Sequence, residues 1–315
     1  MTASAASSST LLKAASASEN RLTPYDFVVY AVLVLSWSAS WYALALQVGN
    51  VPVQTSLFWR FAIAASIMWI WVLASRKPVR FPVRLHIAFA GMGLFIFCLN
   101  FMLFYYGSSY LISGLLSVVF SLASVFNLAL GFVLERRLPR ARVLGGAFSG
   151  VVGIAFMFWP EIANQSWQGG AIIGLGLCIA GTLSFCIGSQ ISAQLQRKQV
   201  PLRSTTAWGM TYGTLFSGLI GISLGNSFAI EWSAVYLGSL LFLAVVSSVI
   251  AFWAFLTLVG RIGAGRSGYA TVMFPVLALV ISAIFEGYTF PAVAMLGLAM
   301  VLIGNMLVLG GGNKA

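Results

Sequence analysis

The sequence predicts an all-α membrane protein of ten transmembrane helices, built as a 5+5 inverted repeat with both termini cytoplasmic. Three observations carry that prediction. Of 315 residues, 60% are hydrophobic and only 7% are charged, against about 25% charged in a soluble domain. Sixteen of the 17 Lys and Arg residues lie in the two tails and in alternate loops between long apolar stretches. The third observation is a set of residue matches between the two halves at a fixed offset of 151.

The elements follow in order. Residues 1–22 are rich in Ser and Ala and nearly free of bulky apolar side chains. They lack the apolar core of a signal peptide and are too poor in Arg for a transit peptide, so they read as a disordered cytoplasmic tail. Ten apolar stretches then approach the ~20 residues that a crossing helix needs. Those of the first half lie near 27–46, 53–74, 85–106, 109–132 and 142–159. Those of the second lie near 169–192, 203–223, 232–258, 266–285 and 291–310. The third and fourth are almost fused, with a tight turn expected at Gly107, Ser108 and Ser109. The domain reading is 23–160 for the first unit, 161–311 for the second and 312–315 for a short cytoplasmic tail.

Charge sets the orientation. The second loop holds Arg76, Lys77, Arg80 and Arg84, and the fourth holds Arg136, Arg137, Arg140 and Arg142. The sixth holds Arg197, Lys198 and Arg203, and the eighth holds Arg261 and Arg266. Odd-numbered loops contain no Lys or Arg and carry Glu161, Glu231 and Glu286. Positive charge stays on the cytoplasmic side, which puts the even loops and both tails there. The net charge of +11 is then topology and contact with anionic lipid, not nucleic-acid binding. The expected location is the plasma (inner) membrane, multi-pass.

At the offset of 151, Phe101 and Phe104 meet Phe252 and Phe255, Glu135 meets Glu286, Gly146 meets Gly297 and Gly153 meets Gly304. An odd number of spans per half turns the second half over. The loop after Glu135 is Arg-rich and the region after Glu286 has no base, the swap that inversion demands. Inverted repeats are typical of secondary transporters, with sites near the midplane between the halves.

Ser124, Val125 and Phe126 leading to Glu135 and the glycines of the fifth span resemble the second half of an EamA unit. So do Phe274, Pro275 and Val276 leading to Glu286, Gly297, Gly304 and Asn305. On these residues the chain is identified as a member of the drug/metabolite transporter superfamily, with two tandem EamA units over the whole membrane part. The run 274–288 more specifically resembles the aromatic amino acid exporters of that superfamily. The resemblance implies a ten-helix exporter of small molecules. Ser124 departs from the pattern, which usually has Pro there.

Reactive groups are sparse. The three cysteines, Cys98, Cys178 and Cys186, fall in separate apolar stretches without paired spacing and read as small apolar fillers. No metal cluster, Ser/His/Asp set or Walker A loop is present, so neither an enzyme nor a cofactor is expected. Gly263, Gly265 and Gly268 match the dinucleotide spacing, but no strand precedes them. No Asp or Glu lies well inside a span, so carboxylate-mediated proton antiport is not expected.

Arg60 is the one cation inside a span, about seven residues from the outer end of the second stretch. It either meets a substrate carboxylate, braces an outer gate, reaches the headgroups or bonds to a backbone carbonyl. Trp37 and Trp41 share a helix face, as do Phe97, Asn100 and Phe104. With Ser184, Gln190, Ser248 and Trp253 they make a candidate lining for a small solute with an apolar side chain and a polar head. The opposing reading of the aromatics is lipid-facing or interfacial anchoring. Pro275 should kink the ninth span and is the candidate hinge or gate. The expected partner is therefore an amino acid or related small molecule. Export of a cationic drug and a non-transporting scaffold or receptor are the alternatives.

Overall fold

The computed structural model describes residues 23–49, 51–135, 141–163, 170–262, 269–289 and 291–311. The N-terminal tail, Arg136, Arg137, Arg140, Arg266, the glycines at 263–268 and the tail at 312–315 lie outside the described residues. Every predicted span has a helical counterpart. These are α1 (Pro24–Ala45), α2 (Val53–Ala74), α3 (Val83–Gly107), α4 (Ser113–Phe120), α5 (Ala123–Glu135), α6 (Ala141–Ala163), α7 (Gly170–Arg197), α8 (Leu202–Ser223), α9 (234–262), α10 (Ala270–Phe285) and α11 (Ala292–Gly311). Among the described residues seven helices are long and apolar enough to cross a membrane: α1, α2, α3, α6, α7, α9 and α11. α8 has 22 residues but carries Ser204, Thr205, Thr206, Gly209, Gly213 and Ser217 on its buried side.

The fourth predicted span differs from a plain helix. It breaks at Ser121 and Leu122 into α4 and α5, with no proline present. The cause is local. Ser117 and Ser121 each donate a side-chain hydrogen bond to the carbonyl three residues back, those of Gly114 and Val118, while the Ser124 hydroxyl lies between the Ser121 carbonyl and the Asn305 amide oxygen. Successive bonds of this kind compete with the helical ladder. α10, by contrast, runs unbroken through Pro275.

α3 and α9 each contain a π-helical stretch, Gly93–Asn100 and Phe242–Ile250. Such stretches are rare and concentrate at functional sites. The π turns also alter which side chains share a face. Phe97 points toward α2 and α9, touching Phe61 and Phe252. Phe104, one π segment later, points toward Trp41 of α1 and Phe120 of α4. The common face expected for Phe97, Asn100 and Phe104 on 3.6-residue spacing is therefore split.

Helix pairing follows a pattern. α1 packs on α10 as α7 packs on α5; α3 packs on α7 as α9 packs on α1; α2 packs on α9 as α8 packs on α3. Three pairs stand alone: α2 with α8, α4 with α10, and α6 with α11. Advancing each member by five predicted spans maps every one of these pairs onto another or onto itself.

The α6–α11 contact is built on glycine. A Cβ on Gly153 would sit 2.6 Å from the Gly297 carbonyl oxygen, and one on Gly146 would sit 2.7 Å from that of Gly304. Ser149 donates to the Met300 carbonyl at 2.9 Å. The pairing runs start to end, so these two helices are antiparallel, as small-residue crossings allow. Gly145, on the regular four-residue ladder with Ser149 and Gly153, has open space where a Cβ would go; Gly146 takes its place at the interface. The small stripe of α8 is used similarly: Gly209 and Gly213 lie against Phe97 and Gly93 of α3. Ile70, Leu73, Ile87, Phe148, Leu219, Ile222 and Ile284 point outward and are exposed, the apolar exterior that lipid requires.

Candidate functional site

Aromatic rings from six helices converge in the bundle. Trp37 and Trp41 project from one face of α1, four residues apart. Trp41 meets Phe104 at 5.0 Å between centroids, Phe120 at 5.5 Å and Phe274 at 6.4 Å. Trp37 meets Phe255 at 5.7 Å and Phe274 at 6.1 Å. Phe185 of α7 closes on Phe120 at 4.8 Å. These separations and tilts are those of favourable ring pairs. Phe104 and Phe274 are buried, whereas Trp37, Trp41, Phe120, Phe185 and Phe255 stay half-buried. Sequence reasoning found both tryptophans, Phe104 and Phe255, but passed over Phe120, Phe185 and Phe274. Phe120 and Phe274 sit next to the helix break and to Pro275, and that adjacency was the available signal.

Two backbone carbonyls beside these rings are approached from across the bundle. The Ser38 hydroxyl of α1 donates to the Val34 carbonyl at 2.6 Å and lies 3.1 Å from that of Phe274. The Cys186 thiol of α7 donates to the Ala123 carbonyl at 3.4 Å. Ala123 and Phe274 are 151 residues apart, the offset of the sequence matches. Cys186 therefore does more than fill space.

Beside the cluster lies a buried polar group centred on Arg60, which is only 2% exposed. Its Nε and Nη2 each lie 3.4 Å from the Ser248 hydroxyl, and its guanidinium stands 4.2 Å from the centre of the Phe101 ring. The Ser248 proton goes to the Leu243 carbonyl at 2.8 Å, inside the π stretch of α9. Nearby, Tyr105 donates to Gln47, Gln47 donates to the Tyr236 carbonyl, and the Tyr236 hydroxyl pairs with Ser56. Among the described residues no backbone carbonyl accepts a hydrogen bond from Arg60.

The other sequence candidates fall elsewhere. Asn100 donates back to the Ile96 carbonyl at 3.3 Å and is buried against Gly181 of α7. Ser184 donates to the Phe95 carbonyl at 2.8 Å, fixing α7 on α3. Gln190 and Ser189 both donate to Asn127 of α5. Phe97 lies on the α2 side, apart from the tryptophans. Trp253 is 38% exposed and, with Trp71, Val249 and Ile250, lines an apolar surface groove. Pro275 lies within α10, immediately after the carbonyl that Ser38 approaches.

Both ends of the bundle carry a polar tie. At one end Arg261 pairs with Asp26, which with Thr23 forms the capping box of α1. At the other, Glu286 accepts from the backbone N–H of Ser113 at 3.1 Å and from its hydroxyl at 2.7 Å, and also from Ser282. A carboxylate at the start of α4 satisfies free N–H groups and complements the helix dipole.

Comparison with known proteins gives a consistent picture. A family model described as the EamA-like transporter family matches twice, over residues 26–159 and 172–310. Protein PagO of Salmonella typhimurium is 22% identical over 292 residues, covering 90% of this chain and 92% of that protein. A probable amino-acid metabolite efflux pump of the same organism is 23% identical, with 89% and 93% covered. One solved crystal structure superposes with a TM-score of 0.64 at 16% identity, over 92% of this chain and 99% of that one; this is a likeness of fold.

Proposed function

The chain belongs to the EamA-like transporter family, and from that premise we propose that it exports aromatic and hydrophobic amino acids, or related small metabolites, by alternating access. It is a multi-pass transporter of the plasma (inner) membrane and not an enzyme. The observation that carries the substrate reading is the ring cluster. Trp41 takes ring contacts from α3, α4 and α10 yet stays half-buried. An aromatic wall between helices with residual open surface suits an apolar side chain. The name of the similar efflux pump of Salmonella typhimurium agrees with that class.

The 5+5 inverted arrangement, with both termini cytoplasmic, belongs to the same proposal. It is supported by the two family matches, by the pairing that repeats at five spans and by the carbonyls of Ala123 and Phe274, each approached by a side chain of the first helix of the other half. In this arrangement the Asp26–Arg261 pair closes the cytoplasmic side and Glu286 on Ser113 closes the outer side. The break at Ser121, Pro275 within α10 and the paired π stretches supply bending points. Ser184 and Gln190 hold α7 in register with α3 and α5 around the route, Asn100 bonds within α3, and Trp253 faces lipid.

Ligand recognition is tested by titrating the purified protein with amino acids and following tryptophan fluorescence. L-Phenylalanine and L-leucine are expected to give a saturable change that glycine does not. A flat response to all three favours a non-transporting membrane scaffold. Pro275→Ala tests the bending point. Restoring the missing N–H donor is expected to leave thermal stability equal or higher while slowing flux severalfold. Unchanged flux removes Pro275 from the moving parts.

A further inference from the structure

Among the described residues Arg60 heads the fully enclosed side chains by size, and no described carboxylate pairs with it. Among the described residues it faces one serine oxygen, shared by two nitrogens at a long 3.4 Å, and the hydroxyl of Tyr105, itself bonded to Gln47. Its Nη1 has no hydrogen-bond partner. The faces of Phe101 at 4.2 Å and Phe61 at 5.2 Å give some cation–π attraction. They do not replace the water that burial removed, because an enclosed charge lacking a counter-charge is strongly disfavoured. A planar guanidinium with a free edge is shaped for bidentate pairing with a carboxylate.

We propose that Arg60, with Ser248 and the Phe101 ring, forms a binding site for a small monoanionic group, the carboxylate of the transported solute. This deepens the export reading and rests on it for the identity of the ligand. Phe101 under the guanidinium and Phe104 in the ring cluster lie three residues apart on one helix, about 4.5 Å along its axis. One helix thus carries a ring of the guanidinium site and a ring of the aromatic cluster. An inorganic monoanion such as chloride shares the needed chemistry and is the other source.

The test uses ring-matched probes on the purified full chain: phenylacetate, 2-phenylethylamine and L-phenylalanine, measured by calorimetry and thermal shift. The wild type is expected to bind phenylacetate and L-phenylalanine at least tenfold more tightly than 2-phenylethylamine, the size of a lost charge-assisted hydrogen bond. Arg60→Met is expected to abolish that preference, and Ser248→Ala to weaken it severalfold. Equal affinity for phenylacetate and 2-phenylethylamine, or unchanged phenylacetate binding in Arg60→Met, overturns the proposal. If Arg60→Met does not purify as a monodisperse species, the probe pair on the wild type decides alone. Chloride replacing methanesulfonate at constant ionic strength identifies the source. Competition with phenylacetate means that an inorganic anion occupies the site between solutes; its absence reserves the site for carboxylates. A wild type that binds phenylacetate but moves no amino acid keeps the anion site and removes the export reading. Unaltered amino-acid flux in Arg60→Met does the reverse.

Discussion

Gly153→Ala should unfold this protein several degrees below the wild type, and Gly153→Leu should prevent it from accumulating as a monodisperse species. The added Cβ would lie 2.6 Å from the Gly297 carbonyl oxygen and 2.8 Å from the backbone nitrogen of Val301. Both are backbone atoms of α11, which cannot rotate away, so the helices must separate. Overpacking in a close-packed interior costs about 1–3 kcal/mol, and a backbone contact places this case at the upper end. Separation would also lengthen the Ser149 bond to Met300. Gly145→Ala is the internal control. Nothing lies within 4 Å of its Cβ position, and alanine is the better helix former by about 1 kcal/mol, so its melting temperature should hold or rise. Thermal scans of the three variants in one detergent check the ordering. Equal stability of Gly145→Ala and Gly153→Ala would remove the glycine-built α6–α11 contact.

Trp41→Ala should reduce amino-acid flux at least tenfold, the largest effect expected at the candidate site. The indole bridges α1 to α3, α4 and α10 through Phe104, Phe120 and Phe274. Its removal takes away both the wall of the proposed site and the contacts that place the helix break and Pro275 around it. Part of the loss will be stability, because deleting a large aromatic side chain from a core costs about 3–5 kcal/mol. Trp41→Phe separates the two. It keeps a ring on the same helix face and should restore most of the stability while leaving the apparent KM raised. Flux measured on equal amounts of folded protein, with melting temperatures alongside, distinguishes lost binding from lost fold.

The bundle was legible in the sequence because apolar length and the position of Arg and Lys follow from the bilayer itself. Trp37 and Trp41 were legible for a similar reason: a four-residue spacing fixes a shared face on any regular helix. Phe97 and Phe104 were not separable, because the π stretch Gly93–Asn100 between them changes the residues per turn without a compositional mark. The break at Ser121 was hidden by the same kind of ambiguity. A serine in a span either packs or bends the helix, and only its bond to Val118 shows which. The choice of Gly146 over Gly145 at the α11 contact depends on a crossing angle that no single-helix pattern encodes. Arg60 was visible at once as the lone cation within a span. Its missing acid could be guessed, but the serine and the aromatic floor that hold it come from α9 and α3 and needed the fold.

Export is decided by the flux of labelled amino acids in proteoliposomes. Saturable movement of L-phenylalanine and L-leucine, competition between them, little movement of glycine, and loss of the phenylalanine flux in Trp41→Ala are expected. Liposomes carrying folded wild-type protein that move none of these amino acids faster than protein-free liposomes would contradict the export reading.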